Sequence, residues 1–176
     1  MILKLRQRIS NNQKGFTMVE LLVAMAVASI IAVAAGTTIS QVFNLNTRTS
    51  NHMIAVRQVQ TAGYWVSHDA QMAQVRTVPG APGLPFSLIW TDWNGNVDNV
   101  TYSIVGKALK RRFIVSGSSP SDTTSFVAQS IDSGGTSCTY NLASNTFTFT
   151  VTATVGSGSR AESETRKYEV RPRSSP

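Results

Sequence analysis

Residues 14–39 read KGFTMVELLVAMAVASIIAVAAGTTI, and this stretch decides how the chain is organised. From residue 16 to residue 39, Glu20 supplies the one ionisable side chain. A bilayer core about 30 Å thick is crossed by about 20 helical residues. The segment is therefore predicted to be a helix that can span a membrane.

Basic residues are concentrated before this apolar segment. The chain of 176 residues has 16 Lys and Arg against 9 Asp and Glu, a net charge of +7. Residues 1–15 contain no acid and four of the cations, namely Lys4, Arg6, Arg8 and Lys14. By the positive-inside rule, this flank should stay in the cytoplasm and everything after the segment should lie outside. The charge thus orients a membrane helix and does not require a nucleic-acid partner.

Three interpretations of this N-terminus are open from the residues alone. A secretory signal would be cleaved after the apolar stretch, and Ala32-Val33-Ala34 fits the small-residue cleavage pattern. An uncleaved signal anchor is the second interpretation. The third rests on Lys14-Gly15-Phe16-Thr17-Met18-Val19-Glu20, a glycine, an aromatic residue, a threonine and a glutamate in fixed register before a long apolar helix.

This motif closely resembles the signal of type IV prepilins and type II secretion pseudopilins. The resemblance implies that a prepilin peptidase cleaves between Gly15 and Phe16 and that Phe16 is then N-methylated. It also implies partners: other pilin or pseudopilin subunits, an inner-membrane assembly platform, and membrane lipid before assembly.

Glu20 supports the third interpretation on physical grounds. A carboxylate at a bilayer centre costs about 2.5–3.5 kcal/mol, and less near the interface, so such a residue should have a partner. Cleavage after Gly15 would create an α-amine at Phe16, four residues away. The resemblance implies that Glu20 pairs with this amine on a neighbouring subunit during filament assembly. The alternative is a glutamate that reaches the headgroup level without a partner.

The rest of the chain divides into three further segments after a leader of residues 1–15. Residues 16–43 are predicted as the transmembrane half of a long helix, and residues 44–78 as its amphipathic half. In the second half, apolar residues recur at spacings of three and four, the pattern of one buried helical stripe: Val56, Val59, Gly63, Val66, Ala70 and Ala73. Proline and glycine at residues 78–83 should end the helix.

Residues 79–176 are predicted to be a head of six or seven antiparallel strands packed against that stripe, an α+β, pilin-like fold. Asn94-Gly95 is a strong hairpin signal, and residues 146–155 alternate with strict period two. The other predicted strands are residues 86–90, 97–105, 109–115, 126–131, 136–142 and 164–170, with a polar loop at 116–124, a turn at 156–159 and a tail at 171–176.

The head also resembles the J-type minor pseudopilins and W-type minor pilins, more loosely than the N-terminus resembles prepilins. Three segments have this similarity: Val66-Ser67-His68-Asp69-Ala70, Val100-Thr101-Tyr102-Ser103-Ile104 and Leu109-Lys110-Arg111. The resemblance implies a minor component of the filament.

Two clusters in the head could bind a ligand. Oxygen-bearing side chains at Asp92, Asn94, Asn96 and Asp98 have a spacing that can hold calcium, but the same residues around Asn-Gly are typical of a turn. Lys107, Lys110, Arg111 and Arg112 could contact DNA phosphates, but alternation along a strand places only some of them on one face. The turn and a charged edge strand are the favoured interpretations.

No pattern of catalytic residues is found. His68 and Asp69 are adjacent on a helix and should not face each other, and His52 has no recognisable nucleophile near it. Cys138 is expected to be a small buried side chain, and Trp65, Trp90 and Trp93 are expected in the core or at a subunit interface. No enzymatic activity and no cofactor are predicted.

The sequence therefore predicts a structural subunit, a minor pilin or pseudopilin anchored by one helix in the inner membrane. The machine that it serves is left open between adhesion and motility, DNA uptake and type II secretion. The alternative is a membrane-anchored or secreted binding module whose head recognises DNA, a glycan or a secreted substrate.

Overall fold

One long helix begins the described part of the chain. The computed structural model describes residues 15–79 and 83–172, and helix α1 covers Met18–Met72, 55 residues. The predicted leader and the end of the predicted tail lie outside the described residues. The chain forms two compact units, which divide between Phe43 and Asn44.

The described part of the first unit, residues 15–43, is helical from Met18 onward, and its apolar side chains are exposed on every side. Three of its hydroxyl groups bond to the helix itself: Ser29 Oγ donates to the carbonyl of Ala26 at 2.8 Å, and Thr37 and Thr38 both donate to the carbonyl of Ala34 at 2.9 Å. Backbone and side-chain polar groups must be satisfied internally in a bilayer. By length and composition, α1 can cross a membrane.

The second unit contains the rest of α1, which buries one stripe. The buried residues recur at helical spacing and are Ala55, Val59, Ala62, Gly63, Val66, Asp69 and Ala70. The predicted stripe is confirmed from Val59 onward, whereas Val56 is only half buried and Ala55 takes the buried position.

Eight strands in two antiparallel sheets pack against this stripe in the described part of the chain. Sheet A has the order β1-β2-β3-β4-β5, and sheet B has the order β6-β7-β8. The strands of sheet A are β1 Val75–Thr77, β2 Phe86–Thr91, β3 Val97–Val105, β4 Ala108–Ser116 and β5 Ser121–Ala128. Those of sheet B are β6 Ser137–Asn141, β7 Thr146–Val155 and β8 Glu162–Val170.

Aromatic side chains from both sheets meet in the core. The ring of Phe86 stacks on Tyr102 at 5.1 Å between centroids and meets Phe147 edge-on at 5.4 Å. Leu88 and Leu109 from sheet A and Phe149 from sheet B are fully buried beside them. The result is an α+β, pilin-like fold, as predicted.

The helix ends earlier in the chain than predicted. α1 ends at Met72 rather than near residue 78, because the backbone changes partner: Gln74 N–H donates to the carbonyl of Ile89 at 2.9 Å. Val75 then pairs with Ile89 in the short strand β1, which was not predicted.

The predicted polar loop at residues 116–124 is also wrong in its second half. Strand β5 begins at Ser121, and the strand predicted at 126–131 corresponds only to its end and to an isolated bridge at Ile131. Six consecutive residues of β5, the edge strand of sheet A, are exposed, so neither face of this part of the strand is covered. Without a buried face, the strand lacks the alternation that would have predicted it.

A buried ion pair joins the helix to sheet A. Asp69 on α1 is 1% exposed. Arg111 on β4 donates two hydrogen bonds to its carboxylate, from Nε at 2.8 Å and Nη2 at 3.0 Å. The hydroxyl of Tyr102 on β3 donates a third, at 2.5 Å. Burial and the charge of Asp69 raise the pKa of Tyr102, so its hydroxyl keeps the proton that it donates.

Aromatic rings flank the Arg111 guanidinium. Its carbon lies 5.1 Å from the ring centre of Trp65 and 5.0 Å from that of Phe113. Burial acts to lower the pKa of Arg111, but the hydrogen bonds and charge of Asp69 outweigh it, and the pKa is raised. The cation is therefore held both by a carboxylate and between two π faces.

A second close contact joins α1 to sheet B at Gly63. The ring of Tyr168 on β8 lies directly over this glycine, so that an added Cβ would overlap the ring. The Tyr168 hydroxyl donates to the carbonyl of Val59 at 3.1 Å, which holds the ring in place.

Substitution Asp69→Asn should destabilise the second unit by about 3–5 kcal/mol, because it leaves the Arg111 cation without its carboxylate. Thermal unfolding of the full chain in detergent should show a midpoint roughly 10 °C lower. The matched control is Asp122→Asn, which removes the partner of Arg112 at the surface and should change the midpoint little. Equal effects of the two substitutions would contradict the role given to Asp69.

Substitution Gly63→Ala should cost about 1–3 kcal/mol, because the methyl group displaces the Tyr168 ring. The midpoint of thermal unfolding measures it, with Gly36→Ala as the control, since a Cβ at Gly36 meets nothing within 4 Å. In a Tyr168→Ala background, Gly63→Ala should lose most of its effect. A full effect in that background would show that the ring is not the obstacle.

Candidate processing and assembly site

The helix start is fixed by a capping threonine. Residues 15–17 are not helical, and α1 begins at Met18. Thr17 Oγ1 accepts the backbone N–H of Glu20 at 3.2 Å, and the Thr17 carbonyl accepts the N–H of Leu21 at 3.1 Å. Thr-x-x-Glu is the sequence of a capping box, and the threonine hydroxyl forms its half of that arrangement here.

The Gly15–Phe16 peptide bond lies just before the helix. Phe16 is 79% exposed, and a Cβ added at Gly15 would contact nothing within 4 Å. The bond predicted to be cleaved is therefore in non-helical chain that the fold of the described residues does not enclose.

Glu20 lies in the first turn of α1 and is exposed. A negative charge there interacts favourably with the partial positive charge of the helix N-terminus. No ion pair of Glu20 is present among the described residues of this single chain. The carboxylate is thus available to a group from outside the chain.

Comparison with known proteins gives one match, and it falls on this site. The family model described as the prokaryotic N-terminal methylation motif matches residues 10–36. Neither the comparison with curated proteins nor the comparison with solved structures gave a match. The chain therefore has a type IV prepilin-like signal at its N-terminus, followed by a helix that supports membrane anchoring by a single span.

The motif implies processing by a peptidase and assembly with other pilin subunits. The proteins defined by such a signal are structural rather than enzymatic.

The calcium candidates form a hydrogen-bonded turn. Asp92 Oδ1 accepts the backbone N–H groups of Asn94 and Asn96, both at 2.8 Å, and Oδ2 accepts Asn96 Nδ2 at 3.0 Å. Asn96 Oδ1 in turn accepts the backbone N–H of Ser118 at 3.0 Å. These bonds lower the pKa of Asp92, chiefly through the Asn96 side chain. The contacts are those of a turn, with Gly95 in the left-handed region at φ 81°.

Asp98 is separated from that turn. It lies on the buried face of β3, opposite Trp90 of β2. Burial, and secondarily the charge of Asp92, raises the pKa of Asp98. Within residues 15–79 and 83–172, no three His, Cys, Asp or Glu side chains are grouped as metal ligands.

The basic residues considered for DNA binding lie in different environments along β4 and the turn before it. Arg111 points into the second unit toward Asp69, while Arg112 pairs with Asp122 at 2.5 Å between Nη2 and Oδ2. Arg112 lowers the pKa of Asp122 through that hydrogen bond. Lys107 lies in the turn between β3 and β4, away from the other three along the chain. The cluster therefore does not present four cations on one face.

The three tryptophans and the cysteine lie in different environments. Trp90 is in the core, one of the two predicted environments. Trp65 is 37% exposed, and Trp93 is 93% exposed at the tip of the β2–β3 hairpin, so for these two a subunit interface stays a prediction. Cys138 is buried, as predicted, and burial raises the pKa of its thiol to about 12.

The prediction that His68 and Asp69 do not face each other is wrong. His68 Nδ1 lies 3.4 Å from Asp69 Oδ1. The His68 side chain is 58% exposed and its ring stacks on Tyr64, with 6.2 Å between ring centroids. Asp69 is nevertheless committed to Arg111 and Tyr102.

Two functional features were missed from the sequence. The capping by Thr17 could have been found, because Thr17 and Glu20 have capping-box spacing. The Asp69–Tyr102–Arg111 cluster had a weaker signal, an acid three residues after Val66 on the apolar stripe. The three segments that resemble minor pilins each contribute one member of this cluster.

Proposed function

We propose that this chain is a structural subunit, a minor pilin or pseudopilin, of a type IV pilus or type II secretion pseudopilus. One observation carries the proposal. Glu20, a carboxylate with no ion pair among residues 15–79 and 83–172, lies one turn into an apolar membrane-length helix that begins just after a Gly-Phe junction. Neither an ordinary signal peptide nor a simple anchor needs that arrangement.

Maturation takes place by cleavage between Gly15 and Phe16, followed by N-methylation of Phe16. The accessible, non-helical chain at the junction supports this step, because a peptidase binds its substrate in extended form. Cleavage removes the cationic leader, and Phe16 becomes the first residue, one residue before the capping Thr17.

Glu20 then acts in assembly. The new amine at Phe16 and the carboxylate at Glu20 are charges of opposite sign at the same apolar end of each subunit. Bringing the amine of one subunit to the carboxylate of the next removes an unpaired charge from an apolar environment, which costs a few kcal/mol when left unpaired. Because the two groups lie one turn apart, their pairing fixes the axial step between neighbouring subunits.

The apolar helix stores the subunit in the membrane before assembly. When it leaves the bilayer, lipid contacts are replaced by contacts with other helices, so the apolar surface need not meet water. A prepilin peptidase, an assembly platform in the inner membrane and other pilin subunits are the partners of this cycle. The second unit then lies outside the cytoplasm.

The contacts in the head favour a structural role over the rival binding module. Arg111 and Arg112, half of the cluster considered for DNA, are engaged by Asp69 and Asp122. The assignment to a minor subunit is supported by the three J-type and W-type segments, which converge on one buried cluster. That cluster joins the helix to the sheet and gives the similarity a structural reason.

Mass spectrometry of the mature chain tests the processing step. We expect an N-terminal, methylated Phe16 in cells that contain a prepilin peptidase, and the unprocessed chain in cells without it. Gly15→Val should block cleavage without altering the fold, because a side chain there meets no neighbouring atoms. An N-terminus at Ala35 would instead identify a secretory signal and overturn the proposal.

Glu20→Gln tests assembly separately from processing. Cleavage after Gly15 should be largely unchanged, while incorporation into filaments sheared from the cells should fall at least about tenfold, consistent with the loss of a few kcal/mol of charge pairing. Glu169→Gln, which removes an exposed acid from β8, is the matched control and should assemble normally. Normal incorporation of the Glu20 variant would refute the pairing role.

A further inference from the structure

We propose that the second unit has a surface for anionic phospholipid headgroups, formed by residues 44–51 of α1 and by residues 156–162, which are the loop between β7 and β8 and the first residue of β8. We call these residues the juxtamembrane patch. The inference goes beyond filament assembly but rests, like the proposed function, on anchoring by α1. It concerns the subunit while it is stored in the membrane.

The position of the patch along the chain brings it to the lipid boundary. Asn44 follows Phe43, the last residue of the apolar unit. Residues 44–51 are the next two turns of the same helix, about 12 Å long. Phe43 and Leu45 are exposed apolar side chains at that level, 67% and 66% accessible. With residues 16–39 in the apolar core, as the proposed function has it, four residues separate that core from Asn44 along the chain, so residues 44–51 follow it near the headgroup layer.

Three side-chain contacts hold the loop against these turns. Arg160 Nε donates to Asn44 Oδ1 at 3.1 Å, and Asn51 Nδ2 donates to the Arg160 carbonyl at 2.8 Å. Arg48 Nε donates to Glu162 Oε1 at 2.7 Å. Because the loop is tied to residues 44, 48 and 51, it must lie at the same depth as those residues.

Gly156 allows the loop to approach this closely. It has a φ of 90°, and a Cβ there would meet Asn51 Nδ2 at 2.5 Å and the Arg160 carbonyl oxygen at 2.7 Å. The loop backbone at Gly156 thus lies directly against the Asn51 side chain of α1.

The exposed groups of the patch are hydrogen-bond donors and cations. Ser157, Ser159 and Arg160 are exposed, and with Thr47 and Asn51 they line a shallow hollow. Arg48 is 57% exposed even with its guanidinium on Glu162. Hydroxyl, amide and guanidinium donors around a hollow suit a phosphate group, and each cation near an anionic surface is attracted to it.

The patch has one acidic residue, Glu162, against two basic ones, Arg48 and Arg160. Between Glu20 and Asp69 the sequence contains no Asp or Glu, whereas Arg48 and Arg57 lie in that interval. Within residues 156–162, Glu162 is the one acid, and it is neutralised by Arg48. The patch therefore has a net positive charge next to the lipid.

Fluorescence quenching in vesicles tests the contact. The full chain, with Cys138→Ala, has a fluorophore attached at Ser159→Cys or, as the matched control, at Ser144→Cys. Ser144 lies far from the patch, because it precedes Asn145, which accepts a hydrogen bond from Arg76 beyond the end of α1. The helix runs about 30 Å from Asn51 in the patch to Met72 at that end. Both serines are exposed.

The vesicles contain about three parts phosphatidylcholine to one part phosphatidylglycerol with a headgroup-linked quencher. We expect quenching at residue 159 to exceed that at residue 144 at least about twofold, and the difference to shrink in phosphatidylcholine alone or in about 1 M salt, where charges are screened within about 3 Å.

Two variants separate electrostatic contact from mere attachment of the loop. Arg48→Gln and Glu162→Gln break the same ion pair but change the charge in opposite directions. If lipid phosphate binds the patch, the first should weaken quenching at residue 159 and the second should strengthen it. If both weaken it equally, the contact reflects loop attachment and the proposal is wrong.

Vesicle flotation distinguishes failure of the juxtamembrane patch from failure of the proposed function, since both rest on membrane anchoring by α1. A chain that does not float with the vesicles overturns both membrane storage and the patch. A chain that floats, with equal quenching at residues 159 and 144, overturns the patch alone and leaves the proposed function intact.

Discussion

One helix has to meet two different environments along its length, and this constraint shapes the rest of the molecule. Up to Phe43 it exposes apolar side chains on every side, whereas from Ala55 onward it buries one stripe under two sheets. In neither half can a polar group remain unpaired without a cost in free energy. Ser29 and the two threonines bond to their own helix, and Asp69 is saturated by Arg111 and Tyr102. Glu20 departs from this rule within the described chain, which is why its partner is sought on another subunit.

The ion pair between Asp69 and Arg111 gives the second unit its register. A buried pair of this kind contributes little net stability, because desolvating both charges offsets their attraction. It nevertheless allows only one alignment, since any slip of the helix past the sheet would strand a charge. Tyr102 adds a hydroxyl that burial keeps protonated. The rings of Trp65 and Phe113 flank the Arg111 guanidinium. On the other side, Gly63 lets Tyr168 approach the helix, so each sheet contacts α1 through one close and specific point.

Periodicity allowed much of the fold to be predicted, but only where one face of an element is buried. Strand β7 has the predicted bounds, 146–155, and the β3–β4 hairpin is confirmed, because both alternate between a buried and an open face. Strand β5 has two exposed faces, and β1 exists only because β2 offers it a partner, so local sequence could not predict them. At the N-terminus the whole processing motif is local and was found directly. Asp69 could not be assigned its role, because its partners are 33 and 42 residues away.

The hydroxyl groups of the apolar segment have a further consequence. Between residues 21 and 39 the polar side chains are Ser29, Thr37 and Thr38, and each donates inward to a carbonyl of its own helix. The outer surface of the segment therefore offers no directional bond to a neighbour, so turning the helix about its own axis breaks none. Hydrogen bonds of these side chains therefore do not set the rotation of the segment about its axis. Its rotational setting among other helices must come from side-chain packing or from groups at the two ends of the segment.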